Sequence, residues 1–450
     1  MIFRTDPFQE PGPATALNYQ AGRSLDRCPG FLAVVQANLA GGRRIAAALR
    51  RDAIEIHTTP DIQYLFDLEG RFLRAATRTE FRFRGCSHQG SIARRKSGGM
   101  IRETLPREEL DRVCRSAWET AEALLRAVGE GRTARAHPDT ADTVRTLRPV
   151  LERVVSWTPD RLARDAARFA AIYQPIPILP PDQYAAFVLQ ATEGCSFNTC
   201  SFCNLYRGFR FRVRSTGEFE AHLKAALAFH GEGLRRRNTI FLGQANAIAA
   251  PQARLESFLQ TINNHVELPH TEGFTKASWA EGHRLRFLGI GSFLDGFTGL
   301  KKTPDDYGRL RRLGLNRVTL GVESGSDALL KWLKKPATTE EMRQTLSVLR
   351  RAGIRCDIIL LVGAGGSRRA EDHARSSLEF LASASMEAGD RVYLSDMIAY
   401  PGTPYPEALK ASGSRPLSPE EMREQREALR DGARRLNLKA VPYRLEPFIY

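Results

Sequence analysis

A regular alternation of short apolar segments and helical patterns runs through residues 182–410, and it constrains the fold more than any other feature. The apolar segments, rich in β-branched residues, predict strands at 185–189, 239–242, 287–293, 317–321, 357–362 and 391–397. Helical patterns fall between them, at 219–229, 251–266, 304–313, 339–352 and 370–386. Repeated β-α units of this kind predict a parallel sheet with helices in its connections. Six units predict an α/β fold with a partial (β/α)6 TIM-like barrel.

The segments on either side of this alternation predict separate domains. Residues 175–181, PIPILPP, cannot form a helix interior and predict an extended connector. Before the connector, a hairpin with a turn at Glu69 and Gly70 precedes helical patterns at 107–128 and 159–173. We therefore expect an α+β N-terminal accessory domain at 1–180, the barrel at 181–410 and a short C-terminal extension at 411–450.

The composition and the N-terminal sequence indicate a globular protein of the cell interior. Hydrophobic residues make up 42% of the chain and charged residues 26%, as in ordinary globular domains. The sequence has no apolar run long enough for a membrane span, and its N-terminus lacks the basic and apolar regions of a signal peptide. We expect a cytoplasmic protein without a membrane partner.

The net charge of +15 raises the question of a nucleic-acid partner. Only ten of the 66 basic residues are lysines, and the arginines form several short clusters along the chain. These clusters are scattered and lack regularly interleaved aromatic residues. The pattern favours an arginine-rich solvated surface over a dedicated nucleic-acid interface, which stays an alternative.

Three cysteines, Cys195, Cys200 and Cys203, follow the first predicted barrel strand with the spacing C-x4-C-x2-C. Ligands of parallel β/α sheets bind at the carboxyl ends of the strands, where this loop lies. Three thiolates from one loop are enough to hold three irons of a [4Fe–4S] cluster and leave the fourth iron open. A structural zinc site would need a fourth ligand, and the nearest later candidate, His222, lies within a helical pattern. The spacing therefore favours the iron–sulfur cluster over zinc.

The remaining four cysteines do not predict a second site. The seven cysteines are odd in number, and Cys28, Cys86, Cys114 and Cys356 stand alone, so a disulfide framework is not indicated. The first three lack the paired spacing of an auxiliary cluster, and Cys356 precedes a strand as a small apolar residue does.

The loop and its flanks resemble the radical S-adenosylmethionine (radical SAM) superfamily. Residues 194–214 read GCSFNTCSFCNLYRGFRFRVR, which is similar to a subgroup with loops of the type GCSxNxCxFCxxY. The first spacing is one residue longer than the CxxxCxxC that is commonest in the superfamily. Four later blocks resemble the same subgroup in order, namely IFLGQAN at 240–246, GVESGSD at 321–327, IILLVGAGG at 358–366 and YPGTP at 400–404.

The resemblance implies two cofactors, a [4Fe–4S] cluster on Cys195, Cys200 and Cys203, and SAM. It implies SAM contacts at Phe202, Gly243, Gln244, Asn246, Ser292, Glu323, Ser324, Gly363 and Gly365. Gln244 departs from the Gly-Asp or Gly-Asn element that is usual in the second block. Glycines at strand ends independently allow close approach of a nucleoside, and the carboxylate of Glu323 suits an ammonium or ribose hydroxyls.

The implied activity is that of a radical SAM enzyme. An electron donor such as flavodoxin or ferredoxin reduces the cluster, SAM is cleaved to methionine and a 5′-deoxyadenosyl radical, and the radical abstracts hydrogen from a substrate. The sequence identifies neither that substrate, small molecule or macromolecule, nor a catalytic residue. Two alternatives stay open, a zinc-stabilised nucleic-acid-binding protein without catalysis and a radical SAM enzyme that acts on RNA.

Overall fold

The computed structural model describes residues 31–39, 44–58, 61–96, 99–269, 285–443 and 450. The chain divides into two compact units. The first comprises residues 1–175, 226–237 and 446–450, and the second comprises residues 176–225 and 238–445.

The first unit is built on an antiparallel sheet whose described strands number nine. They are β1 (Phe31–Asn38), β2 (Arg44–Arg50), β3 (Ile54–Thr58), β4 (Ile62–Phe66), β5 (Phe72–Ala76), β6 (Glu80–Arg84), β7 (Gly90–Lys96), β8 (Gly99–Leu105) and β9 (Thr133–His137). Strands β1 to β8 pair with their successors in a meander, and β9 returns to the free edge of β1. The predicted hairpin is confirmed, since β4 pairs antiparallel with β5.

Among the described residues before 176, three helices accompany this sheet, α1 (Arg107–Gly129), α2 (Thr140–Ser156) and α3 (Pro159–Ile172). Their starts follow from local chemistry. The Asp139 side chain accepts a hydrogen bond from the Asp142 N–H at the start of α2. At α3 the Thr158 hydroxyl caps the helix, and Pro159 occupies the first turn, where its missing N–H costs least. The apolar faces of these helices share one core with alternate residues of the strands.

The second unit contains a parallel sheet of seven described strands. In sheet order they are β10 (Phe187–Gln190), β13 (Ile240–Gly243), β14 (Ile290–Leu294), β15 (Leu315–Glu323), β16 (Arg355–Val362), β17 (Arg391–Asp396) and β18 (Lys439–Tyr443). Strands β10, β13 and β14 are buried along their whole length, as expected for strands covered on both faces. A separate two-stranded ribbon pairs β11 (Thr192–Glu193) with β12 (Arg212–Val213).

Helices fill the connections of this sheet. They are α4 (Thr216–His230), α5 (Gln252–His265), α6 (Pro304–Arg312), α7 (Asp327–Trp332), α8 (Thr339–Arg351), α9 (Ala370–Ser383), α10 (Tyr405–Ala411) and α11 (Pro419–Arg435). Reciprocal capping boxes fix the starts of α6, α8 and α11. The predicted fold class, a partial β/α barrel accompanied by a β-rich N-terminal unit, is confirmed, and all six predicted strands are present. The seventh strand, β18, comes from the segment 411–450 and was not predicted.

Gly325, two residues after β15, permits close packing against α9. A Cβ at this position would lie 2.1 Å from the carbonyl oxygen of Ser376 and 2.7 Å from Cα of Ser377. Because both obstacles are backbone atoms of a helix, we expect Gly325→Ala to reduce the free energy of unfolding by about 1–3 kcal/mol. The matched control is Gly217→Ala in α4, where nothing lies within 4 Å of an added Cβ and stability should not fall. Equal thermal unfolding midpoints for the two variants would contradict this packing argument.

Candidate functional site

Adjacent strands of the second unit bring the predicted site residues to one edge of the sheet. Strands β10, β13, β14, β15 and β16 are neighbours in that order and all run parallel, so their carboxyl ends share an edge. The cysteine loop follows β10, and Gly243 ends β13. Glu323 ends β15, and Gly363 directly follows β16.

The cysteine loop is closed at its base by the β11–β12 ribbon, which pairs Glu193 with Arg212. Gly194 has a φ of +70°, and a Cβ there would lie 3.1 Å from the carbonyl oxygen of Arg210. Asn198 also adopts a left-handed conformation, with φ +55°, and its Nδ2 donates to the Tyr206 carbonyl oxygen at 2.8 Å. Short polar and small residues therefore fold residues 194–211 into a compact loop.

The three thiols of this loop are partly buried and lie close enough together for their charges to interact. Burial raises the pKa of Cys200 to about 12 and also raises the pKa of Cys203. Within the described ranges, no three His, Cys, Asp or Glu side chains are grouped so as to hold one metal ion. A [4Fe–4S] cube differs in this respect, because each cysteine binds a separate iron. The assignment of a cluster to these three cysteines stays a prediction.

Asn246 carries an unsatisfied buried acceptor next to this loop. Its side chain is almost fully buried, and Nδ2 donates to the Asp295 carboxylate and to Oγ of Thr298 at 3.0 Å and of Ser196 at 3.3 Å. Its Oδ1 has no hydrogen-bond partner among the described residues. A buried acceptor without a donor costs free energy, so this position fits a ligand that donates a hydrogen bond, as the ammonium of SAM does.

Glu323 ends β15 in a strained backbone conformation, with φ +66° for a residue that is not glycine. The side chain of Glu323 is buried, and its Oε1 accepts a hydrogen bond from Nζ of Lys335 at 2.9 Å. Burial alone would lower the pKa of Lys335, but Glu323, Cys200 and Asp295 together hold it above its usual value. The strand end and the cysteine loop thus share one charged cluster.

Three other predicted SAM contacts make hydrogen bonds that hold the loop and the sheet together. Gln244 accepts the Gly194 N–H at Oε1 with a distance of 2.6 Å, so it ties the end of β13 to the cysteine loop. The Gly243 carbonyl oxygen accepts from the Ala191 N–H at 2.7 Å. The Ser292 hydroxyl donates to the Leu242 carbonyl oxygen at 2.8 Å. Their roles toward SAM stay predictions.

The glycine block after β16 contacts the C-terminal helices. The Gly363 N–H donates to Oε1 of Gln425 at 2.6 Å, and the Gly365 N–H donates to the Tyr405 hydroxyl at 3.1 Å. Phe202 packs against a small apolar cluster that includes Tyr405. Glycines occupy the block because Gly363 and Gly365 have φ values of +83° and +79°. The proposed nucleoside contacts of Phe202, Gly363 and Gly365 stay predictions.

Ser324 is fully buried and bonds within the fold. Its hydroxyl lies 2.8 Å from Nδ1 of His373 and accepts the Ser326 N–H at 3.1 Å. Nε2 of His373 lies 2.8 Å from the Leu361 carbonyl oxygen, which can only accept, so the neutral ring carries its proton on Nε2. Ser324 therefore donates to Nδ1 in this arrangement, and its predicted contact with SAM stays a prediction.

The buried His373 is expected to make stability depend on pH. Burial lowers its pKa to about 4, below the value of about 6.5 of an exposed histidine. The unfolded chain therefore binds a proton at higher pH than the folded chain does, and the contribution of this residue is lost as pH falls from about 6.5 to 4. We expect a loss of up to about 3 kcal/mol across this window. Urea unfolding at several pH values should show a flatter profile for His373→Gln, and an equally steep profile would contradict this role.

Two residues of the site were missed by the sequence prediction. Asp295 follows the predicted strand at 287–293 and, as a carboxylate at a strand end, was detectable from that position. Lys335 lies after α7, twelve residues beyond Glu323, and no motif pointed to it. Its place in the site depends on the tertiary fold alone.

The arginine clusters of the surface are extensively paired with acids. Arg212, in the basic segment after the cysteines, contacts Glu193 at 2.7 Å and Glu218 at 2.6 Å. In the first unit, Arg94 contacts Glu80 at 2.8 Å and Glu103 at 2.9 Å. Pairing of this kind reduces the charge that a polyanion would meet at these clusters. No helix in the part of the chain that the structure describes is long and apolar enough to cross a membrane.

Residues 189–375, which contain the cysteine loop and the ends of β13 to β16, match the family model of the radical SAM superfamily. The chain contains a radical SAM domain. Enzymes with this domain use a [4Fe–4S] cluster and SAM, the two cofactors that the sequence predicts. The three thiols of the cysteine loop suit the cluster. Oδ1 of Asn246, which has no partner among the described residues, suits the ammonium of SAM.

Several solved radical SAM enzymes are similar to this chain at low sequence identity. The cobalamin-dependent enzyme OxsB is 17% identical over 54% of this chain and 31% of its own length, with a TM-score of 0.35. Coproporphyrinogen III oxidase (HemN) from Escherichia coli is 14% identical over 60% of this chain and 55% of its own, with a TM-score of 0.39. Methylornithine synthase (PylB) is 16% identical over 58% of this chain and 71% of its own, with a TM-score of 0.36. The chain thus spans about a third of OxsB and about half of HemN. No curated protein matches the sequence.

Proposed function

We propose that Cys195, Cys200 and Cys203 hold the [4Fe–4S] cluster and that SAM binds across the strand ends beside them. When bound, the reduced cluster and SAM supply a 5′-deoxyadenosyl radical, which abstracts hydrogen from the substrate. The proposal rests chiefly on polar side chains at the ends of the next three strands, Asn246, Asp295 and Glu323, the first two of which contact Ser196 of the cysteine loop.

The chain's own residues have distinct tasks in this proposal. Asn246, held by Asp295, presents Oδ1 as an acceptor for the SAM ammonium. Among the described residues, Lys335 is the hydrogen-bond partner of the Glu323 side chain, and it binds Oε1. The second carboxylate oxygen remains available to a donor on SAM. Gln244 accepts the Gly194 N–H and so holds the base of the cysteine loop against the end of β13.

The substrate and the electron donor are inferred only as classes. A low-potential one-electron carrier such as flavodoxin or ferredoxin would reduce the cluster. The substrate is either a small molecule or a macromolecule with an abstractable hydrogen. Action on RNA is the alternative that the positive net charge keeps open, and RNA binding would then weaken steeply with added salt.

Anaerobic reconstitution with iron and sulfide tests the proposal. We expect about four irons per chain, a broad visible absorbance of thiolate-ligated iron, and 5′-deoxyadenosine after addition of SAM and dithionite. One bound zinc per chain without iron would instead support the zinc-stabilised alternative. Absence of both the cluster absorbance and dithionite-dependent SAM cleavage would overturn the proposed function.

A further inference from the structure

Lys335 is a buried cation in the centre of the candidate site. Its side chain is only 9% exposed, and Nζ donates to Oε1 of Glu323 at 2.9 Å. The segment that carries Lys335 contacts the cysteine loop directly, because the Leu333 carbonyl oxygen accepts hydrogen bonds from the Ser201 N–H at 2.9 Å and from the Ser201 hydroxyl at 3.0 Å. One ammonium is thus paired with the carboxylate that ends β15, on a segment bonded to the residue that follows Cys200.

The fold makes room for this lysine. Gly321 lies within β15, and a Cβ there would be 2.7 Å from Oε1 of Glu323 and 3.2 Å from Nζ of Lys335. A larger residue at Gly321 would therefore displace the ion pair. The neighbouring Lys334 is exposed, so the burial belongs to Lys335 and not to the segment as a whole.

A buried charge beside an iron–sulfur cluster changes how readily the cluster accepts an electron. Net charge, hydrogen bonds to sulfur and solvent exposure set the reduction potential of such clusters. In a partly desolvated site, a cation close to a ligating thiolate stabilises the more negative, reduced form more than the oxidised form. Glu323 and Asp295 act in the opposite direction, so Lys335 offsets them.

We propose that Lys335 sets the reduction potential of the cluster by offsetting the charge of Glu323 beside the cysteine loop. This inference rests on the proposed function, because it requires the cluster to be held by the cysteine loop. The step concerned is the transfer of one electron from a low-potential donor to the cluster. The donor is oxidised by one electron, the cluster is reduced by one, and no bond breaks in this step.

A redox titration of the reconstituted enzyme tests the inference. It is carried out without SAM and monitored by electron paramagnetic resonance. Lys335→Met should make one-electron reduction at least tenfold less favourable, a shift of about 59 mV to lower potential. Lys335→Arg keeps the charge and should shift less. Lys334→Met removes an exposed lysine one position earlier and should leave the potential unchanged.

The double variant Lys335→Met/Glu323→Gln separates charge from structure. It removes both charges, so its potential should return toward that of the wild type, although two contacts have been lost. If Lys335→Met does not fold, Glu323→Gln compared with the double variant isolates the same cation, and the double variant should have the lower potential.

The two proposals fail in different ways. A wild-type chain that binds no iron overturns the proposed function. The role of Lys335 alone is overturned if the wild type binds about four irons per chain but its potential equals that of Lys335→Met. Equal potentials of Glu323→Gln and the double variant would overturn it in the same way.

Discussion

Replacing Cys200 with serine is expected to reduce the iron content from about four per chain to less than about one and to abolish dithionite-dependent cleavage of SAM. A serine hydroxyl is a harder and far less acidic ligand than a thiolate, and the other two cysteines cannot hold three irons between them. The thiolate form of Cys200 is unfavourable in this site, because burial raises the pKa of the thiol to about 12. Iron binding must therefore supply the free energy that keeps this sulfur deprotonated. The same result is expected for Cys195→Ser and Cys203→Ser.

Cys114→Ala provides the matched control for these substitutions. Cys114 is buried in α1 of the first unit, in the apolar core of that unit. Its removal costs some stability and no cluster ligand, so iron content and cleavage of SAM should stay at the wild-type level. Iron analysis, visible absorbance and chromatography of 5′-deoxyadenosine measure the effect. Retention of about four irons by any of the three serine variants would contradict the assignment of the cysteine loop.

The barrel could be predicted from sequence because its strands are apolar and separated by long helical patterns. Strands such as β13 and β16, with sequences IFLG and RCDIILLV, are recognisable without tertiary information. The final strand, β18, has the sequence KAVPY and lacks an apolar run. Its pairing with β17 depends on the tertiary fold, because it completes an edge already set by the preceding strands.

The first unit was harder to predict for a different reason. Strand β2 reads RIAAALR, an alanine-rich sequence that also fits a helix, and β9 reads TARAH, whose side chains are largely polar. The β4–β5 hairpin was recognised because the turn at Gly70 separates two alternating segments. A meander built from such weak strands is defined by its cross-strand pairing, which no local pattern encodes.

In the candidate site, too, some residues are recognisable from local sequence and others depend on the tertiary fold. The cysteines and the ends of β13 and β15 were located from motifs, whereas Lys335 and the hydrogen bonds of Gln244, Ser324 and Gly363 depend on residues distant in sequence. Gly363, for example, bonds to Gln425, which belongs to a helix formed 62 residues later. A motif therefore indicates which residues matter, and the fold decides which of them face a ligand and which hold the site together.

Replacing Glu323 with glutamine is expected to weaken SAM binding and lower the rate of SAM cleavage roughly 100-fold, with a full cluster retained. Loss of a charged partner from a buried site costs about 2–5 kcal/mol, and each 1.4 kcal/mol corresponds to about tenfold in affinity. The strained backbone of Glu323, with φ +66°, is maintained by the end of β15, so glutamine can occupy the same position. Equilibrium dialysis of SAM and the yield of 5′-deoxyadenosine measure the two effects separately.

Glu340→Gln is the control for this substitution, since Glu340 is exposed on α8 and its partners among the described residues, Arg343 and Gln344, lie on the same helix. It should leave SAM binding and cleavage unchanged. Iron content distinguishes the possible causes of a loss in Glu323→Gln. A variant with about four irons that no longer binds SAM places the carboxylate at the SAM site. If SAM still binds with wild-type affinity while cleavage falls, Glu323 acts through the lysine and the cluster, and its direct contact with SAM is wrong.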